Sequence, residues 1–398
     1  MWYNANYENY GWESSPTSKL RDYIRSNSSM IHSKYWVWLS AIPKIGPRKC
    51  LQLLENFNSP DNVWHASKSE LEKMQFLNEE AISHILNSKY KEVVYKHLEN
   101  IEKHKIQIIT INDDAYPFYL KNIHDPPVVL YVRGKLIKGE KFISVIGSRK
   151  ATAYGLNIAT TISSELARLG ITVISGFARG IDSCAHNASL NVGGRTVAVL
   201  GCGPDIIYPS ENKNLMDKII NSGAVVSEFV PGTPPLAQNF PARNRIISGA
   251  SVGVVVVEAG EKSGTLITSY FALEQGREVF AVPGNITSLN SKGTNRLIKD
   301  GAKIVTCIED ILEELNVPLQ TNNIYCNQKK ALRKIDYERL ESEEVDIVKQ
   351  LEMEPLHIDL LAKKCGFSMH IINSILVLLE MKGIIEQLPG KVFRIKEW

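Results

Sequence analysis

Between Ile143 and Ile308 the chain repeats one arrangement: a short β-branched apolar run, a loop carrying glycine, then a stretch with helical spacing. The runs are ISVIGSR (143 to 149), ITVISGFARGID (171 to 182), TVAVLGCGPD (196 to 205), VGVVVVEAGEKSGT (252 to 265) and EVFAVPGN (278 to 285). Their hydrophobicity is continuous rather than alternating, which marks parallel strands buried on both faces. The pattern predicts an α/β fold built on a doubly wound, mostly parallel sheet. In such a sheet the loops leaving the carboxyl ends of the strands converge on one crevice, where loop N–H groups and helix amino ends attract phosphate.

Ahead of the repeats the pattern is helical. Tyr35 to Ile42 leads into Pro43-Lys44-Ile45-Gly46-Pro47, then the apolar spacing of Leu51, Leu53, Leu54 and Phe57, with amphipathic stretches to about residue 105. This resembles a SAM-like helix-hairpin-helix, whose glycine turn offers N–H groups to a DNA backbone. Pro43 stands where the first glycine is expected, so the preferred reading is a bundle that packs on the core or on a partner. The expected organisation is a disordered leader at 1–33, a helical domain at 34–105, the sheet core with its connector at 106–316, a polar basic linker at 317–335 and a last domain at 336–398. That last domain reads as helices at about 341–353, 357–364 and 368–382, then a hairpin turning at Leu388-Pro389-Gly390. The order is that of a winged helix. Its third helix carries neither Lys nor Arg between Phe367 and Met381, which favours protein contact over DNA.

A dinucleotide is a poor fit to the crevice. Such a site needs G-x-G-x-x-G after the first strand and an acidic residue about 20 residues on. Here the first strand ends in Gly147-Ser148-Arg149, the second in Ser175-Gly176, and Gly201-Cys202-Gly203 lacks the third glycine. Arg149 beside a phosphate loop suits exposed phosphates, which a guanidinium can fork.

Several of these runs resemble the DNA-processing protein DprA (Smf) family: GSR (147 to 149), Tyr154-Gly155, SGFARGIDSCAH (175 to 186), AVLGCG (198 to 203), Tyr208-Pro209, Ser227-Glu228, FPARNRIIS (240 to 248), VEA (257 to 259), SGTLIT (263 to 268), REVFAVPG (277 to 284) and LIKDGA (297 to 302). The resemblance implies a Rossmann-like core that binds single-stranded DNA. It also implies homodimerisation around Leu297-Ile298 and Gly301-Ala302, and loading of RecA recombinase onto incoming DNA during natural transformation. It implies no cofactor. Some relatives carry lysine directly after Tyr-Pro; here that residue is Ser210, with Lys213 three residues on.

Charge sharpens this only locally. The chain of 398 residues has a formal net charge of +3, distributed as +3 for 1–139, 0 for 140–316, +4 for 317–335 and −4 for 336–398. Binding to a polyanion must therefore come from a focused patch. The six cysteines are scattered without metal-ligand spacing, which predicts free thiols in the cytoplasm. No apolar run is long enough to span a bilayer, so no membrane role is expected.

The candidate contacts with DNA phosphates are Gly147, Ser148, Arg149, Tyr154 and Gly155 in the first loop, Ser175, Gly176, Arg179 and Gly180 in the second, and Gly203 in the third. Arg243, Asn244 and Arg245 join them, one arginine being available for an internal ion pair with Glu228 or Glu258, and Ser263, Gly264 and Thr265 form a second anion seat. Phe177 and Tyr208 are open to base stacking or core packing. Asp182 and His186, four apart, have acid–base spacing, but the expectation is that Asp182 caps its helix and His186 bonds a neighbouring loop. No catalytic or metal-binding residues are expected. The enzymatic alternative is a LOG-like nucleotide phosphoribohydrolase, whose P-G-G-x-G-T-x-x-E loop would fall here; Thr268 occupies the place of its catalytic glutamate.

Overall fold

Each of the five apolar runs forms a strand, and together with four others they make one sheet. The strands are β1 (Gln107–Thr110), β2 (Val129–Gly134), β3 (Phe142–Ile146), β4 (Thr172–Ser175), β5 (Thr196–Val199), β6 (Ala224–Ser227), β7 (Gly253–Val256), β8 (Glu278–Ala281) and β9 (Lys303–Ile304). This computed structural model describes residues 28–315, 340–353, 356–388 and 390–395, and the chain divides into two compact units, Met1–Val317 and Pro318–Trp398. The expected linker at 317–335 and the leader up to residue 27 lie outside the described residues. A helix begins at Ser28, so residues 28–33 are not leader.

The sheet order is β1-β2-β6-β5-β4-β3-β7-β8-β9. Strands β6 through β9 in that order pair parallel; β2 pairs antiparallel with both β6 and β1, so β2 alone runs against the others. Every residue of β3, β4, β5, β6 and β7 is buried, as continuous apolar runs require. The mostly parallel, doubly wound sheet matches the expected fold class. Strand β6 was absent from the repeat pattern because its segment, Ala224-Val-Val-Ser227, is short and flanked by polar residues.

The amino-terminal helices do not build a separate core. Trp36, Trp38 and Leu39 from the helix Ser28–Ala41 bury into one apolar cluster with Leu130 and Tyr131 of β2 and with Ile246 and Ile247. Ser40 Oγ and Tyr131 OH share a hydrogen bond of 2.8 Å across that seam. The hairpin turn is held within its own bundle: His84 bonds the Pro43 carbonyl at 3.0 Å, and Lys44 lies 3.9 Å from Glu80.

The second unit has helices Ser342–Met353, Ile358–Cys365 and Met369–Met381, with β10 (Leu356–His357), β11 (Ile385–Leu388) and β12 (Val392–Ile395) in the order β10-β12-β11. Its core includes Ile347, Leu361, Ile372, Leu376 and Phe393. This is the expected winged helix, with one extra short strand. Among the described residues no single helix is long and apolar enough to cross a membrane.

Candidate nucleic-acid interface

The chain lays down β3, β4, β5 and β6 in one direction and then returns to place β7 on the other side of β3. The loops leaving β3 and β7 therefore part company at a topological switch point, where doubly wound sheets bind ligands. Close packing fixes these loops. A Cβ on Gly147 would lie 2.6 Å from Ile181 Cγ1 and 3.1 Å from the Glu258 carbonyl oxygen, so only glycine lets the three chain segments meet. Beneath them Glu258, buried, accepts a hydrogen bond from the Thr152 N–H at 3.0 Å, and Thr152 Oγ1 accepts from the Gly155 N–H at 3.2 Å. Thr152 thus caps the helix Ala153–Arg168. Tyr154, half exposed, donates from its hydroxyl to the Pro283 carbonyl at 2.9 Å.

Two further helix starts face the same region. Ser263 caps the helix Gly264–Glu274 by accepting from the Thr265 N–H at 3.2 Å, and Thr265 Oγ1 donates to the Gly147 carbonyl at 3.2 Å. Gly180, at φ +76, precedes the helix Ile181–Asn191, and a Cβ there would stand 2.3 Å from the Ser148 carbonyl oxygen. Among the described residues the N–H groups of Ser148, Arg149 and Gly180 meet no protein acceptor. Such N–H groups beside helix amino ends are suited to anions.

Exposed cations, the exposed Tyr208 ring and the partly buried Phe240 ring line this ground. The Arg149 guanidinium lies 5.8 Å from the centroid of the Phe240 ring, and the Phe240 ring lies 5.7 Å from that of Tyr208, which is 44% exposed. The segments that follow β3, β5 and β6 thus supply a line of cation, ring and ring, with Phe240 in the first turn of the helix Asn239–Ala250. Lys150 and Lys213 are exposed nearby in sequence, and Arg179 is exposed but paired with Glu211. Phe240 was not singled out from sequence, although its position before Pro241 in a loop-to-helix junction was visible.

Burial withdraws several expected contacts from the surface. Ser175 is fully buried and donates from Oγ to the Val145 carbonyl at 2.7 Å. The Gly176 N–H goes to Asp182 Oδ2 at 3.1 Å, and the Gly203 N–H to the Thr233 carbonyl at 2.8 Å, so neither is left for phosphate. Arg243 is 4% exposed and donates to the carbonyls of Gly176, at 2.7 Å, and Val199. Arg245, 2% exposed, is the internal ion-pair residue, held between Glu228 and Asp125, the latter at 3.2 Å. Asn244, between them, is only partly buried and accepts from Arg243 Nε at 3.3 Å. Phe177 is fully buried and packs in the core.

The Asp182–His186 pair is structural in its bonding. Asp182 accepts from the loop N–H groups of Gly176 and Ala178, rather than capping its own helix end, where Gly180 is the boundary residue. Burial raises the Asp182 carboxyl against the pull of Arg243, and burial holds Arg243 down at about 10, so the guanidinium stays charged at neutral pH. His186, fully buried, bonds Thr196 Oγ1 through Nδ1 at 2.6 Å; burial, with Arg243 adding, lowers it to about 3. Thr268, 3% exposed, offers no carboxylate. Among the described residues no group of His, Cys, Asp or Glu could hold a metal ion.

Comparison with known proteins fits this architecture. The profile of the family described as DNA recombination-mediator protein A matches residues 107–316, and that of the DprA winged helix domain matches residues 336–391. DNA processing protein DprA of Bacillus subtilis (strain 168) is 48% identical over 213 residues, 53% of this chain and 71% of that protein. Protein Smf of Synechocystis sp. (strain ATCC 27184 / PCC 6803 / Kazusa) is 32% identical over 388 residues, covering 89% and 97% of the two chains. The crystal structure of DprA from Streptococcus pneumoniae superposes with a TM-score of 0.62 at 37% identity, over 71% of this chain and 97% of that one. With half its length under the first profile and a fold, a switch-point crevice and a winged helix to match, the chain belongs to the DNA recombination-mediator protein A family.

Proposed function

We propose that the crevice at the carboxyl ends of β3, β4 and β7 holds the backbone of single-stranded DNA, without catalysis, and presents it to RecA recombinase during natural transformation or recombination. The line Arg149–Phe240–Tyr208 carries this reading: a cation for phosphate stands beside two rings on which bases can stack, in a crevice supplied with loop N–H groups. Gly147, Ser148, Tyr154, Arg179, Gly180, Asn244, Ser263, Gly264 and Thr265 frame the strand, whereas Gly155, buried with its N–H on Thr152, and Arg243 and Arg245 support it from below. Burial of Asp182 and His186, and the threonine at 268, support a binding role over phosphoribohydrolysis. Five free thiols among the described residues suit the cytoplasm.

A homodimer accords with the exposed apolar side chains beside β8 and β9, namely Tyr270, Leu273, Ile286, Leu289 and Ile304. Leu297 and Ile298 there are partly buried. Pairing two crevices would raise the effective concentration of DNA at a growing filament. The test is a titration with single-stranded DNA, duplex DNA and free nucleotides, beside sedimentation. Single-stranded DNA should bind tightest, to a dimer; preference for a mononucleotide with release of its base overturns the reading.

A further inference from the structure

The loops after β4 and β5 meet at the edge of the crevice, and each brings one charge there. Arg179 precedes Gly180, which lies directly against the backbone of Ser148 and Arg149, so the Arg179 and Arg149 loops abut. Glu211 lies in the short turn Ser210–Asn212, three residues beyond Tyr208. That turn is pinned across the gap between the two loops: Asn212 Nδ2 donates to the Phe177 carbonyl at 3.0 Å and to Ser183 Oγ at 2.9 Å. From this position Glu211 accepts a hydrogen bond from the Arg179 guanidinium, with the two side chains still 47% and 64% exposed.

Three neighbouring carboxylates serve the backbone. Asp182 accepts from the N–H groups of Gly176 and Ala178, Asp205 from that of Gly232 and Glu258 from that of Thr152. Glu211 engages a cation instead, in the place that a phosphate oxygen would take on the guanidinium fork. An exposed pair of this kind is weak and screened by salt, so it can open and close beside a bound strand. We infer that Glu211 sets the affinity of the single-strand site by competing with a backbone phosphate for Arg179. This rests on the reading of the crevice as a single-strand site. With Glu211 in place, Arg179 is drawn from the strand and a negative charge faces the phosphates; without it, Arg179 turns to the strand and adds one contact. Such an exchange loosens the hold on a phosphate without any change of fold, which suits a strand that must be passed on.

The test measures binding of the full chain to dT oligonucleotides of about thirty residues across a salt series. Glu211→Gln should steepen the salt slope by about 0.7 and tighten binding about fivefold at about 0.1 M salt, the effect of one added single-strand phosphate contact. Adding Arg179→Ala to Glu211→Gln should remove both gains. An unchanged slope and affinity in Glu211→Gln overturn the inference and leave the crevice standing. So does a gain that persists once Arg179 is also replaced, because the carboxylate would then act by repulsion alone. Preference of the unaltered protein for a mononucleotide over the strand overturns both.

Discussion

Asp182 and Arg243 hold Gly176 between them: the carboxylate accepts its N–H at 3.1 Å, and the guanidinium donates to its carbonyl at 2.7 Å. A Cβ on Gly176 would stand 2.7 Å from both Arg243 Nη2 and Asp182 Oδ2. Removing one partner of such a buried pair leaves an uncompensated charge, a loss of about 3–5 kcal/mol. Arg243→Ala should therefore act on folding first, lowering the urea midpoint steeply, and Gly176→Ala should do the same by forcing the pair apart. An Arg243→Ala protein of unchanged midpoint that only binds DNA less well would return this arginine to the surface role its sequence suggested.

Arg149→Ala should leave stability almost unchanged, because the side chain is exposed, and weaken all single-stranded sequences alike. Its salt slope should fall by about 0.7, the increment for one single-strand phosphate contact. Phe240→Leu should instead weaken binding by about 1–3 kcal/mol, the range for a lost stacked base, with the slope intact. Measuring affinity across a salt series for both variants separates charge from stacking; identical slopes for Arg149→Ala and the unaltered protein contradict the phosphate contact.

The protein should lose stability as pH falls below about 6.5. Unfolded, His186 takes its proton near 6.5, whereas in the fold burial holds it down to about 3. Between these values the unfolded chain binds more protons, so the contribution is fully present above about 6.5 and declines by up to about 1.4 kcal/mol per pH unit below it. Melting profiles from pH 8 to 4 should be flatter for His186→Gln, and parallel profiles count against the assignment.

Truncation after about residue 335 should leave single-stranded DNA affinity within roughly threefold, under about 1 kcal/mol. The outward face of the helix Met369–Met381 bears Ile371, Val377, Leu378 and Met381 with no Arg or Lys, a surface without means to hold phosphate. A tenfold loss in a truncated protein that remains folded and of unchanged oligomeric state would show that Lys391 and Arg394 reach DNA.

Much of this architecture was legible in the chain because buried parallel strands need nearly continuous apolar runs; Val254 to Val257 is unbroken, and Ile143 to Ile146 is interrupted only by Ser144. The antiparallel β1 was not legible: Gln107-Ile-Ile-Thr110 follows a helix with little punctuation, and its partner lies 20 residues away. At the site, glycine and hydroxyl positions could be read from local turn chemistry. An internal ion pair with Glu228 was expected for one of Arg243 and Arg245, and Arg245 makes it; that Arg243 is buried as well could not be read, since sequence does not show the Gly176 and Val199 carbonyls and the Asp182 carboxyl brought to it from elsewhere. Phe240 escaped for the same reason, its role depending on Arg149 and Tyr208 arriving from two other strand ends.

Both rims of the large sheet are blunt. Strand β9 is two residues long and exposes Lys303, which reaches Glu314 at 3.2 Å, and on the opposite rim the Thr110 N–H of β1 is already taken by Asp113 at 2.6 Å. Neither rim offers a run of open N–H and C=O groups on which a stray strand could template. Copies of this chain brought close together on DNA would therefore have to associate through side chains, and crowding on a filament would not convert them into an extended β-ribbon.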